Sequence, residues 1–282
     1  MNLSKLVIPA LFGLSTIITG CSTSQTVNTT TNSPQSKATE QNPQNTSHAD
    51  GDLISLTSIT VPHTNSDMKT YKMMYWSHNT KTEAFLAVPK EAGMYPLFVN
   101  LHGGADTAYP VSHYTSPASS TTLEYAQNGF ITLVPEYRGY ADSDGTIPNL
   151  QGEVLDVDNT MEAIKSTAYS VEPNHIYLEG ASMGGAVALQ LSAERDDIKS
   201  VIAISPFVGW NIVGPWATEN KGTNPIAQKY YTVMERNYGP YSRNNSKFKP
   251  VSVDYQKIHV PTLLLQVFFA SKKCRETLRI CA

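Results

Sequence analysis

One passage constrains this chain more than any other. His175-Ile-Tyr-Leu-Glu-Gly180-Ala-Ser182-Met-Gly184-Gly185 starts as a strand, breaks into Gly-x-Ser-x-Gly, and continues at once as a helix. From Gly184 to Ala193 that helix is apolar nearly all round, which marks it as buried. A strand that turns directly into a buried helix leaves room for one tight local geometry. A side chain at Gly180 or Gly184 would collide with its neighbours, hence the glycines. The turn lifts the Ser182 hydroxyl clear of the sheet and sets it at a helix N-terminus, where backbone N–H groups and the dipole favour negative charge. That is the context a nucleophile elbow demands. A merely structural turn serine is the competing explanation.

A second element agrees with the first. The strand Tyr95 to Leu101 ends in His102-Gly103-Gly104-Ala105, whose small residues let backbone N–H groups approach a substrate oxygen. The N–H groups of Gly104 and Ala105, with that of Met183, form a candidate oxyanion hole. Such a donor typically contributes roughly 3–4 kcal/mol. His102 precedes a glycine loop and is expected to shape it rather than to transfer protons.

The rest of the chain supplies the sheet. Ile54 to Val61 alternates apolar and polar residues, and Lys69–Ser77 and Thr82–Val88 flank a hairpin at His78-Asn79-Thr80-Lys81. Further strands are expected at Phe130–Val134, His175–Leu178, Val201–Ile204 and Thr262–Leu265. Val154, Val157, Met161, Ile164 and Ala168 fall on one helical face between them. Strands alternating with helices imply an α/β fold, a mostly parallel sheet with helices on both faces. Residues 207–258 break this rhythm with Phe207, Trp210, Trp216, Tyr230, Tyr231, Tyr238, Tyr241, Phe248 and Tyr255. They read as a cap-like insertion over the sheet, an elaborated crossover being the alternative.

In their order and approximate spacing, YPLFVNLHGG, GFITLVPEYRGYADSDG, DVDNTMEAIK and VEPNHIYLEGASMGG resemble the α/β-hydrolase superfamily. The match is nearest its prolyl-oligopeptidase-like and dienelactone-hydrolase-like branch. The resemblance implies an α/β-hydrolase fold over residues 52–266. It implies Ser182 as nucleophile of an acyl transfer on a small ester or peptide substrate, with no metal and no organic cofactor. It also places the triad acid and histidine after the serine. Here the pattern ends after Gln266. Val267 stands where a glycine is expected, no aspartate follows Asp254, Glu276 is the sole carboxylate side chain of the tail, and no histidine follows His259. No triad acid or histidine is found at the matching positions. The last strand and helices of the fold are expected to be missing, leaving 267–282 as a weakly packed tail foreign to the family. Three explanations stay open: a frameshifted reading of a longer gene, a non-catalytic relative that binds ligands, or a stand-in base such as His113.

The other end reads as an export signal. Lys5 precedes a largely apolar run from Leu6 to Ile18, about 13 residues, which suits a signal peptide and is short for a spanning helix. Ile18-Thr19-Gly20-Cys21 resembles the lipobox of bacterial lipoproteins. This resemblance implies removal of residues 1–20, lipidation of Cys21, and an exported domain anchored to a membrane of a bacterial cell envelope. Residues 21–51 are Ser-, Thr-, Asn-, Gln- and Pro-rich and read as a disordered tether. Of the 3 cysteines the other two, Cys274 and Cys281, lie in the tail, so the body uses neither disulfides nor thiolate metal ligands. A net charge of -3 gives no electrostatic case for nucleic acid. Two functional readings follow: a surface-anchored serine hydrolase, truncated and impaired as written, or a tethered ligand-binding lipoprotein on a hydrolase scaffold.

Overall fold

The chain makes a two-residue reversal at His78 and Asn79. In the structure, a computed structural model describing residues 48–62, 64, 66–104, 120–146, 150–248, 252–267 and 278–281, these two residues alone join β2 (Met68–Ser77) to β3 (Thr80–Pro89). Both take left-handed backbone angles, φ 48° and 57°. Two such residues make the hairpin turn whose twist matches the flanking strands, and Ser77 pairs with Thr80 across it. β1 (Leu53–Ser58) pairs antiparallel with β2 on the outer side.

The rhythm then changes to strand and crossover helix. β4 (Met94–Leu101), β5 (Ile131–Pro135), β6 (Ser170–Ala181), β7 (Ile198–Ile204) and β8 (Thr262–Val267) run parallel to one another. β3 joins this block antiparallel to β5, and with β9 (Leu278–Cys281) the sheet order is β1-β2-β3-β5-β4-β6-β7-β8-β9. Helix α1 (Ser120–Gln127) crosses from β4 to β5, α2 (Gln151–Ile164) from β5 to β6, and α3 (Met183–Glu194) from β6 to β7.

Alternation along the strands sorts the two faces. Leu86, Val88, Leu97, Val99, Leu133 and Leu178 pack with Val157, Ile164, Val187 and Leu191 of α2 and α3 into the main core. Ala87, one step out of phase, meets Leu123 and Ala126 of α1 on the other face. Helices therefore cover both faces, as an α/β fold requires. The expected apolar stripe of α2 is buried at Val154, Val157, Met161 and Ile164, but the helix stops at Ile164 and Ala168 is exposed beyond it.

Three features differ from the sequence reading. The edge of β8, expected to be left bare by a weakly packed tail, carries a short strand instead: β9 lies antiparallel on β8, pairing Val267 with Leu278 and Leu264 with Cys281, and is not the parallel strand and helices whose loss was expected. An unpaired strand edge presents a row of free N–H and C=O groups, and this short segment covers the part of β8 from Leu264 to Val267. Leu263 and Leu264 nevertheless remain 37% and 39% exposed. Residues 48–51, assigned to the tether, belong to the folded body. The N–H of Gly51 donates to the Trp76 carbonyl, and His48 stacks on the Trp76 ring at 4.0 Å. Finally, α1 carried no clear periodic signal. The signal peptide, Cys21, Ala105, His113 and residues 268–277 lie outside the described residues.

Between β7 and β8 two helices, α4 (Trp210–Asn220) and α5 (Pro225–Tyr238), form a unit with its own small core. Asn224 caps α5, its side-chain oxygen accepting from the N–H groups of Ile226 and Ala227. Trp210, Val233, Met234 and Phe248 are buried between the helices, with Phe207, Tyr230, Tyr238 and Tyr241 packed around them. The Tyr255 hydroxyl donates to the Val208 carbonyl at 2.9 Å, so the two ends of this segment meet.

Candidate active site

Ser182 sits where β6 gives way to α3, exposed, with φ 54° and ψ -116°. An L-residue there is strained by roughly 1–3 kcal/mol. Three neighbours hold it. The Ser182 N–H donates to the Ile204 carbonyl at 2.9 Å, and the Ser182 carbonyl accepts from Phe207 at 2.8 Å and from Ala186 at 3.2 Å. The turn is thus bolted to the end of β7 and to its own helix.

The flanking glycines are there for space. A Cβ on Gly180 would lie 2.2 Å from the Gly184 carbonyl oxygen, and one on Gly184 would lie 2.1 Å from that of Leu101. No real Cβ tolerates such contacts, so the elbow can form only with hydrogen at both positions. Gly184 therefore lets α3 press against the end of β4. That contact brings in the glycine loop: a Cβ on Gly103 would come within 3.2 Å of the Ser182 Cβ. Gly104, with φ 144°, follows in a conformation that disfavours side chains. Met183 opens α3, so its N–H is among those a helix leaves without an internal partner.

His102 is sealed beneath this loop. Its ring lies 4.2 Å from Tyr137 and 5.0 Å from Tyr140, the latter edge-on. Nδ1 is 2.7 Å from the Gly103 carbonyl, and Nε2 is 3.9 Å from a Glu136 carboxylate oxygen. The Tyr137 hydroxyl donates to the His102 carbonyl at 3.2 Å, and the Tyr140 hydroxyl backs Gly104, where a Cβ would be 2.8 Å from it. Burial pushes the His102 imidazole down to about 4, so it is neutral at ordinary pH. Both ring nitrogens face the loop and Glu136. His259 precedes β8, at the end of the parallel strands opposite Ser182.

Sequence reasoning passed over the Tyr137 and Tyr140 pair. Both rings come from PEYRGY, and Tyr137 has a left-handed φ of 49°. A non-glycine residue in that region leaves no mark in composition; the Gly139 two positions on is the one hint of a tight turn there. Behind the loop, Asp156 accepts from the Arg138 backbone N–H at 2.7 Å, the Arg138 guanidinium at 2.6 Å and the Ser77 hydroxyl at 2.6 Å. Among the described residues no group of histidine, cysteine and carboxylate side chains is arranged to hold a metal ion.

The aromatic insertion starts at the elbow. Phe207, whose N–H reaches Ser182, contacts Trp210 at 5.0 Å and Tyr230 at 6.1 Å between ring centres, and Tyr230 contacts Trp216 at 6.5 Å. A line of rings therefore leads from the Ser182 backbone into α4 and α5.

The family model for serine aminopeptidase, S33, matches residues 97–259, more than half of the chain. The chain belongs to this S33 family of α/β hydrolases. Among relatives, it is 25% identical to the uncharacterized peptidase YtmA of Bacillus subtilis over 53% of each chain. It is 26% identical to the quorum-quenching protein AidA of Acinetobacter baumannii over 46% of this chain and 42% of that one. The chain thus spans about half the length of the relatives it matches. Among solved structures, acetyl xylan esterase 1 of Thermoanaerobacterium superposes with a TM-score of 0.56 at 18% identity, covering 74% of this chain and 71% of its own. The acylaminoacyl peptidase of Pyrococcus horikoshii gives 0.56 at 16% identity, over 71% of this chain and 32% of its own. These structures share the S33 chain's fold, and the elbow and glycine loop lie inside residues 97–259 of the family match.

Proposed function

We propose that this S33 protein is a serine hydrolase that cleaves an ester or peptide bond through an acyl-enzyme on Ser182. The observation that carries this is the exposed, strained serine between two glycines that admit no side chain, with Gly103 packed against it. Ser182 Oγ attacks the carbonyl carbon while its proton passes to a base. The carbonyl oxygen becomes an oxyanion facing the N–H groups of Met183, Gly104 and Ala105. Collapse expels the alcohol or amine, and water then releases the acid. The solved structures that share the fold include both esterases and a peptidase by name, so both leaving groups are in range. Phe207, Tyr230 and Trp216 supply an apolar wall for the acyl or side-chain group.

We further propose that the domain is exported and anchored by a lipid on Cys21, at the lipobox-like stretch before a polar tether. A second reading, a tethered ligand-binding protein, is favoured by the placement of the described histidines: His102 faces away into the loop and His259 lies at the wrong end of the sheet. A nucleophile and oxyanion hole without their base retain roughly 10³–10⁴-fold over water. Fluorophosphonate labelling separates the two. Rapid labelling that Ser182→Ala abolishes, with hydrolysis of short-chain aryl esters, is expected of a hydrolase with a working base. Slow labelling at Ser182 without ester turnover assigns the chain to binding. Ester hydrolysis that survives Ser182→Ala would remove the elbow from the mechanism.

A further inference from the structure

At the far end of α3 from Ser182 lies a groove of about 820 Å³, between the start of α2, the second half of α3 and residues 241–248 and 252–254. Its volume is that of a small-molecule site. Gln190 and Glu194, on its α3 wall, stand about 12 and 18 Å along the helix from Ser182 at 1.5 Å per residue. The groove is therefore separate from the nucleophile.

Its lining has an unusual chemistry. Five carboxamides face it, from Gln151, Gln190, Asn211, Asn244 and Asn245, together with three serine side chains. Each carboxamide offers a donor and an acceptor side by side. Among the described residues, the side chains of Gln151, Asn211 and Asn244 make no hydrogen bond within the chain, leaving both functions open. The charged groups cancel: Glu194 and Asp254 stand against Arg243 and Lys257, and Lys257 lies 3.5 Å from Asp254. A lining without net charge selects neither phosphates nor cations. The floor is apolar, with Val154, Phe248 and Val253 buried beneath the amides.

A ligand matching these features is neutral, carries many groups that both donate and accept, and has an apolar face of C–H bonds. We propose that the groove is a carbohydrate-binding site that takes a neutral oligosaccharide. A peptide fits less well. Among the described residues that line the groove none belongs to a strand, so no strand edge is offered for backbone pairing. The site stands whether or not Ser182 is a nucleophile.

The test is titration of the full-length protein with cellotetraose, xylotetraose and maltotetraose by calorimetry, with tetra-alanine as the peptide probe. Saturable binding of at least one tetrasaccharide is expected. It should weaken at least tenfold in the double variant Asn211→Ala, Asn244→Ala and stay unchanged in Ser182→Ala. Both asparagines are exposed, so the double variant should keep the wild-type melting curve. The site is overturned if no tetrasaccharide binds or if the double variant binds as wild type does. Binding of tetra-alanine that is sensitive to the same two residues would make the groove a peptide site instead.

Discussion

Ser182 holds a backbone conformation that costs roughly 1–3 kcal/mol, and three backbone hydrogen bonds to β7, Phe207 and α3 hold it there. His102 is the other residue whose state is set by its surroundings. Burial lowers its affinity for a proton from the ordinary value near 6.5 to about 4. The unfolded chain therefore takes up a proton at this histidine before the folded chain does. The stability it contributes is fully present above pH 6.5 and is lost as pH falls from 6.5 through 4, by about 3 kcal/mol in total. Urea midpoints measured at pH 7 and pH 4.5 should converge partly in His102→Gln; equal pH dependence in variant and wild type would refute it. At this scale, Gly180 and Gly184 were legible because a missing side chain is visible in sequence. The His102 clamp was not, because Tyr137 and Tyr140 reach it only once β5 lies beside β4.

At the scale of elements, α2 shows what periodicity misses. Its apolar stripe was readable, and the sequence reading gave its opposite side no role. Yet Glu153, Asp156, Asn159 and Thr160 are buried as well. Asp156 is the hub: Arg138 and Ser77 donate to its carboxylate, Tyr75 donates to its backbone carbonyl at 2.9 Å, and Asn159 donates to Ser77 at 2.9 Å. One helix thereby ties β2 to the loop after β5, where Tyr137 begins the clamp. Asp156 is fully buried and the Arg138 side chain is 16% exposed, so removing the carboxylate strands a mostly desolvated charge. Asp156→Ala should cost about 3–5 kcal/mol, read from urea denaturation. A loss below about 1 kcal/mol would mean the pair is not what joins these elements. The partners lie far apart in sequence, which is why the polar side of α2 gave no warning. β9 escaped for a similar reason, since its short segment gains strand character only from the open edge of β8.

For the whole molecule, the succession of strands along the chain was largely legible, their order in the sheet was not, and the proposed place in the cell rests on the N-terminal sequence. Among the described residues no helix is long and apolar enough to cross a membrane. The proposed anchoring rests on Cys21 alone. Mature protein is expected to begin at a lipidated Cys21 and to sediment with membranes, while Cys21→Ala should leave it unprocessed or in the soluble fraction. A variant that matures and fractionates like wild type would end the lipoprotein proposal.

The segment carrying α4 and α5 lies between β7 and β8, and Val208 and Tyr255 near its two ends touch. The cost of closing it depends only weakly on its length. Doubling such a loop adds only about 0.6 kcal/mol of closure entropy. Ser182 takes its support from Ile204 and Phe207, both before the segment departs. Evolution can therefore exchange this one piece, as a tool is changed on a fixed spindle, and redirect what the elbow meets without resetting the elbow itself.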